Sequence, residues 1–119
     1  MKDKLEYLED DENRYPMAFS LNVMEAIQEK YGTLQDWGEL AQNAKEPNIK
    51  ALKFMVTEAI NEGLDIENRD EKLTSRQVGR LITRIGIQNV AEKINKLITS
   101  SVSGDDESKN DLTMESRVE

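Results

Sequence analysis

Two short amphipathic helices held apart by a single glycine constrain this chain more than any other feature. They lie in residues 19–40, FSLNVMEAIQEKYGTLQDWGEL. The first repeats Val23, Met24, Ile27 and Tyr31 at spacings of three and four, which places them on one helical face. Asn22 with Glu25 three residues later reads as a capping box and predicts a start there. Gly32 supplies the positive φ that stops the helix sharply. Thr33 then caps a second helix, with Asp36 in its first turn and Leu34, Trp37, Leu40 and Ala41 on its apolar face. Helices this short cannot bury such faces alone, so they require the rest of the chain, a partner, or both.

The remainder supplies further helices. Pro47 suits the first turn of a third helix, predicted to run to Glu62 and stop at Gly63. Its stripe is Ile49, Leu52, Met55, Val56, Ala59 and Ile60, widened by Ala51 and Phe54. Residues 63–72 read as a polar loop with Leu64 and Ile66 turned inward. Thr74 and Gln77 form a capping box for a fourth helix carrying Val78, Leu81, Ile82 and Ile85. After Gly86 a fifth helix uses Ile87, Val90, Ala91, Ile94, Leu97 and Ile98. At the N-terminal end, Leu5, Tyr7, Met17 and Phe19 alternate with polar neighbours. That pattern fits a hairpin of residues 4–8 with 14–19, Pro16 lying at an edge, and it equally fits a floppy acidic arm. The expected fold is all-α: a small bundle of four to five short helices, with or without the hairpin. Residues 1–14 form the arm or hairpin, 15–99 the helical domain, and 100–119 a disordered acidic tail.

Composition narrows the chemistry. The 119 residues contain no cysteine and no histidine, which removes disulfides, thiolate metal sites, catalytic triads and the commonest general base. The glycines are scattered and make no phosphate-binding loop. Asp65, Glu67, Asp70 and Glu71 lack the glycine and distal glutamate of a calcium loop, and Arg69 falls among them. No catalytic residue, cofactor or metal is therefore expected, and the chain is read as a non-enzyme. No apolar run spans a membrane and the charged N-terminal stretch is unlike a signal peptide, so the expected location is cytosolic.

The net charge of −8 is unevenly spread. Residues 1–70 carry 8 basic and 16 acidic side chains, residues 71–99 carry 6 and 2, and residues 100–119 carry 2 and 6. Arg76, Arg80 and Arg84 recur every four residues in the basic segment. Three readings compete for them: a solvent face, a docking strip for an acidic partner segment, and contacts to DNA phosphates. LTSRQVGRLITRIGIQNVAEKI resembles the start of a helix-turn-helix, though its glycine falls some three residues late for that motif. Overall acidity argues against nucleic acid. Trp37 reads as a core anchor for the joint at Gly32, and Met17, Met24 and Met55 as gap-fillers or as an adaptable surface.

The run YPMAFSLNVMEAIQEKYGTLQDW, with its E-K-Y-G turn, resembles the core of tail assembly chaperones from long-tailed phages and prophages of Gram-positive bacteria. IKALKF, INEGLD and LTSRQVGRLI follow in the order found in that family, so the resemblance covers about residues 14–99. It implies a non-catalytic protein of the host cytoplasm, absent from the mature virion, that binds the tape measure protein and recruits tail tube subunits. Many members also have a longer, frameshifted form. Self-association is compatible with it, and neither nucleic acid nor membrane is an expected partner. A helical client suits apolar grooves. The candidate partner surface is Met24, Ile27, Tyr31, Trp37, Leu40, Met55 and Val56, together with Arg76, Arg80 and Arg84; a domain core accounts for the apolar members equally well. The rival reading is a small prophage DNA-binding regulator.

Overall fold

The structure, a computed structural model, describes residues 5–11, 13–43 and 45–102. It comprises a two-stranded antiparallel sheet, β1 (Leu5–Asp10) and β2 (Asn13–Ala18), followed by five helices. These are α1 (Leu21–Tyr31), α2 (Leu34–Ala41), α3 (Ile49–Ile66), α4 (Ser75–Ile85) and α5 (Ile87–Val102). The fold is thus mostly helical but not purely all-α, because the hairpin forms and is integral to the core. The predicted tail lies outside the described residues beyond Val102, and α5 itself continues past the expected boundary at residue 99.

The hairpin is longer and tighter than its predicted form. Only two residues separate Asp10 from Asn13, and Asp11 takes the left-handed conformation (φ +54°) that such turns demand. Its buried face also has the other parity in β1. Leu8 is buried, whereas Leu5 and Tyr7 are half-exposed. Glu6 and Asp10, on the same face as Leu8, reach Lys93 of α5 at 3.8 Å and Arg84 of α4 at 2.7 Å. Charged residues at strand positions that look solvent-facing are in fact ion-pairing to helices.

α3 is the axis of the molecule. β2, α1, α2 and α4 all pack on it, and eight of its residues are buried. Gly63 does not end this helix. A Cβ there would lie 2.7 Å from the Pro16 carbonyl carbon and closer still to its oxygen, so glycine is what lets β2 approach the helix. Pro16 has no N–H to offer a ladder, and its carbonyl faces α3 rather than β1. The true stop is Asn68, at φ +59°. The Asn68 N–H donates to the Asp65 carbonyl and the Arg69 N–H to the Leu64 carbonyl, the paired bonds of a Schellman ending.

Caps decide the other boundaries. Ser20, not Asn22, caps α1, accepting from the Val23 N–H, while the Asn22 side chain donates to Glu62 across the helix pair. Asn48 caps α3, which leaves Pro47 one residue before the cap rather than in the first turn. A reciprocal capping box forms at Thr74–Gln77 as read from sequence, and at Thr33 the expected cap is completed into a second box by the Asp36 side chain, expected only as a first-turn charge. Gly32 (φ +95°) and Gly86 (φ +105°) make the two sharp joints.

Candidate functional site

The apolar partner surface read from sequence is largely the interior. Ile27, Trp37, Met55 and Val56 are each 1% exposed or less and belong to a single core cluster. Met24 and Tyr31 are half-buried against that cluster, Tyr31 meeting Phe54 edge-on at 5.6 Å. The reason is geometric: the faces of α1 and α2 pack on α3, so each stripe covers another. Trp37 is the anchor expected of it, its Nε1–H donating to the Ala51 carbonyl at 2.9 Å.

Leu40 alone of the apolar set is exposed, at 43%, and it is joined by a residue assigned to the core stripe, Ile49, at 49%. The two are drawn together where α2 hands over to α3, the Asn48 N–H donating to the Leu40 carbonyl at 2.8 Å. A helical wheel contains the signal. At ~100° per residue, Leu40 points about 80° away from the direction midway between Trp37 and Ala41, and Leu34 only about 40°. Leu34 is accordingly half-buried and Leu40 is not. Ile49 opens α3, where no preceding turn flanks it.

Beside this corner lies a cleft of about 380 Å³ between the α2–α3 connection and α5. Ala41, Pro47, Leu52, Ile87 and Ala91 give it apolar walls, and Gln42 bridges it to Asn95 with a 2.5 Å hydrogen bond. No charged residue lines it, in a chain 34% charged. The amides of Gln42, Asn43, Gln88 and Asn95 make up the rest of its lining, so among the concavities described it is the one that suits an uncharged surface, apolar in part. A larger hollow of about 660 Å³ between β1 and α5 has Glu9 and Glu92 interspersed with Lys93 and Lys96, so its charges do not converge on one sign.

The acidic segment after α3 is organised around its own arginine. Arg69 bonds Glu71 at 2.6 Å and Glu67 at 3.4 Å, and donates to the Arg14 carbonyl at 3.1 Å. Among the described residues no group of three acidic side chains is placed to hold a metal ion. Glu67 also accepts from the Tyr7 hydroxyl at 2.5 Å, clasping β1 to the end of α3. That bond, then burial and the Glu67 charge, push the Tyr7 phenol above its ordinary value. A raised folded-state value means that the clasp stabilises fully below the ordinary phenol value of 10.0 and is lost as pH climbs through the folded one. The stability gap between wild type and Tyr7→Phe, followed by urea denaturation, is therefore constant from neutral pH to about 10 and shrinks above it. A gap independent of alkaline pH contradicts the clasp.

The arginines of α4 behave unequally. Arg84 is paired with Asp10, while Arg76 and Arg80 are exposed. α4 and α5 are joined through Gly86 alone, without the three- or four-residue turn of a helix-turn-helix. Among the described helices none is long and apolar enough to cross a membrane. Neither a protein-family model, nor a curated protein, nor a solved structure matches the chain.

Proposed function

We propose that this chain is a non-catalytic tail assembly chaperone of a long-tailed phage or prophage, which holds the tape measure protein and recruits tail tube subunits. The observation that carries the reading is the ordered set of segments from Tyr15 to Ile82 that resembles that family. Those segments lie in β2, α1, α2, α3 and α4, elements that share one core. In this proposal the client is held at the corner of Leu40 and Ile49 and along the uncharged cleft beside it, not on the stripe of Met55 and Val56, which is already covered. Exposed leucine and isoleucine next to an uncharged groove of mixed apolar and amide lining suit one face of an amphipathic client helix, and the surrounding acidity keeps the unliganded protein soluble. The protein acts in the host cytoplasm and is left behind when the virion matures.

Deleting the gene from its phage or prophage is expected to abolish full-length tails. The paired variant Leu40→Glu/Ile49→Glu, which disturbs only exposed positions, keeps its helical circular dichroism but loses co-purification of a long helical protein by roughly tenfold or more, as expected for two hot-spot anchors. Normal tails in the deletion strain, counted and measured by electron microscopy, would overturn the function. Undiminished capture by the variant would overturn the surface.

A further inference from the structure

α4 holds three arginines and no acidic residue within 11 residues, in a chain with 24 acidic and 16 basic side chains. With carboxylates in surplus, every arginine could be neutralised internally, and Arg84 is, by Asp10. Arg76 and Arg80 are not: among the described residues neither has a carboxylate oxygen within 4.0 Å. Lys53 of α3 adds a third cation, its ammonium lying 3.5 Å from where a Cβ on Gly79 would sit. A pocket of about 180 Å³ opens beside Arg80. Leu73 and Leu81 give it apolar walls, and Tyr15, Gln77, Arg80 and Arg84 supply its polar groups. The Gln77 carboxamide oxygen is taken by the Thr74 N–H, which leaves its donor. The Arg84 Nε is taken by Asp10, which leaves its terminal amines. The polar side chains thus offer donors with almost no free acceptor, in a space far below the ~300 Å³ and more of a cofactor site.

We propose that the exposed face of α4 docks an acidic peptide segment of a protein partner, with one carboxylate entering the pocket beside Arg80 and a second resting on Arg76. The two arginines are one helical turn apart, about 6 Å along the axis. An extended peptide repeats same-side residues every ~6.6 Å, so acids at alternate positions match both guanidinium groups, and acids at i and i+4 of a helix match as well. Each contact is a charge-assisted, bidentate-capable hydrogen bond, the geometry arginine is suited to. The Asp10–Arg84 pair is the same interaction already made within the chain, one turn further along. Nucleic acid fits less well. Two guanidinium groups and one ammonium neutralise few phosphates, and a polyanion meets the net charge of −8 over a longer range than a short peptide does. The inference is independent of who the apolar client is, because it rests on a different face.

The test is a titration of the ¹⁵N-labelled full-length protein at low salt with three probes. These are a ten-residue peptide with glutamate at alternate positions, its glutamine counterpart, and a single-stranded oligonucleotide of matched charge. The glutamate peptide is expected to shift amides from Gln77 to Leu81, and the glutamine peptide is not. Arg80→Ala weakens binding roughly five- to tenfold, as loss of a charged hydrogen-bonding partner does. Arg76→Ala/Arg80→Ala abolishes it, and Lys96→Ala, in the separate hollow between β1 and α5, leaves it unchanged. Raising salt to about 0.5 M removes the shifts, as screening of exposed charges requires. Equal shifts with both peptides, none with either, or tighter binding of the oligonucleotide than of the glutamate peptide overturns the proposal.

Discussion

Replacing Gly63 with alanine is expected to destabilise the protein, against the rule that alanine strengthens a helix. The added Cβ meets backbone, the carbonyl of Pro16, and backbone cannot swing aside as a flexible side chain can. Either β2 lifts from α3 or the helix shifts, and forced overpacking of this kind costs ~1–3 kcal/mol, more than the ~1 kcal/mol that alanine gains over glycine in a helix interior. For a domain this size each kcal/mol moves the melting temperature by roughly 4–8 °C. Gly38 is the opposite case. It lies within α2 with open space for at least 4 Å around the point a Cβ would occupy, so Gly38→Ala is expected to stabilise by about 0.5–1 kcal/mol. Thermal unfolding of the two variants, followed by circular dichroism, should therefore move in opposite directions. If Gly63→Ala melts at or above the wild-type temperature, the close approach of β2 to α3 is wrong.

The second large effect is at Trp37. Its ring is 1% exposed, and its indole N–H is bonded to the Ala51 carbonyl in the first turn of α3. Trp37→Ala leaves a cavity between α2 and α3 and is expected to cost ~3–5 kcal/mol, a large share of the ~5–15 kcal/mol available to a small domain. The variant should be partly unfolded at moderate temperature. Trp37→Phe fills most of the volume but removes the donor, so it separates the hydrogen bond from the packing. Its expected cost is ~1–3 kcal/mol, from a smaller ring and one lost bond. Urea midpoints for both variants decide the matter. If the alanine variant lay within ~0.5 kcal/mol of wild type, Trp37 would be a surface residue and the core assignment would fail.

Local chemistry was legible in the residues. Thr33 with Asp36 and Thr74 with Gln77 cap where they should, because a capping box involves only four consecutive residues. Gly32 and Gly86 stop helices because a positive φ depends on the residue itself. Misreadings arise where a distant neighbour decides. Gly63 resembles those two glycines in sequence, yet it sits inside a helix and is glycine for another reason: Pro16, far away in the chain, occupies the space a Cβ would need. Asn68, an unobtrusive residue in a polar stretch, ends the helix instead.

The candidate site divides in the same way. Periodicity identifies which residues share a face of a helix but not what covers that face. Ile27, Trp37, Met55 and Val56 vanish into one core, while Leu40 and Ile49, members of the same stripes, are left outside. The arginine ladder of α4 is visible in its four-residue spacing. That Arg84 is satisfied by Asp10, while Arg76 and Arg80 have no carboxylate partner among the described residues, follows only from how the hairpin lies against α4.

By itself, the sequence determined that there are four to five helices, the caps at Thr33 and Thr74, the two sharp joints and the uneven charge, since each depends on residues within about one helical turn of one another. Tertiary structure alone decided that the N-terminal strands are part of the core, that α3 is its axis, and which apolar and basic residues remain available to a partner. Those outcomes depend on mutual exclusion in a close-packed interior, where one element's side chains occupy the room another would need.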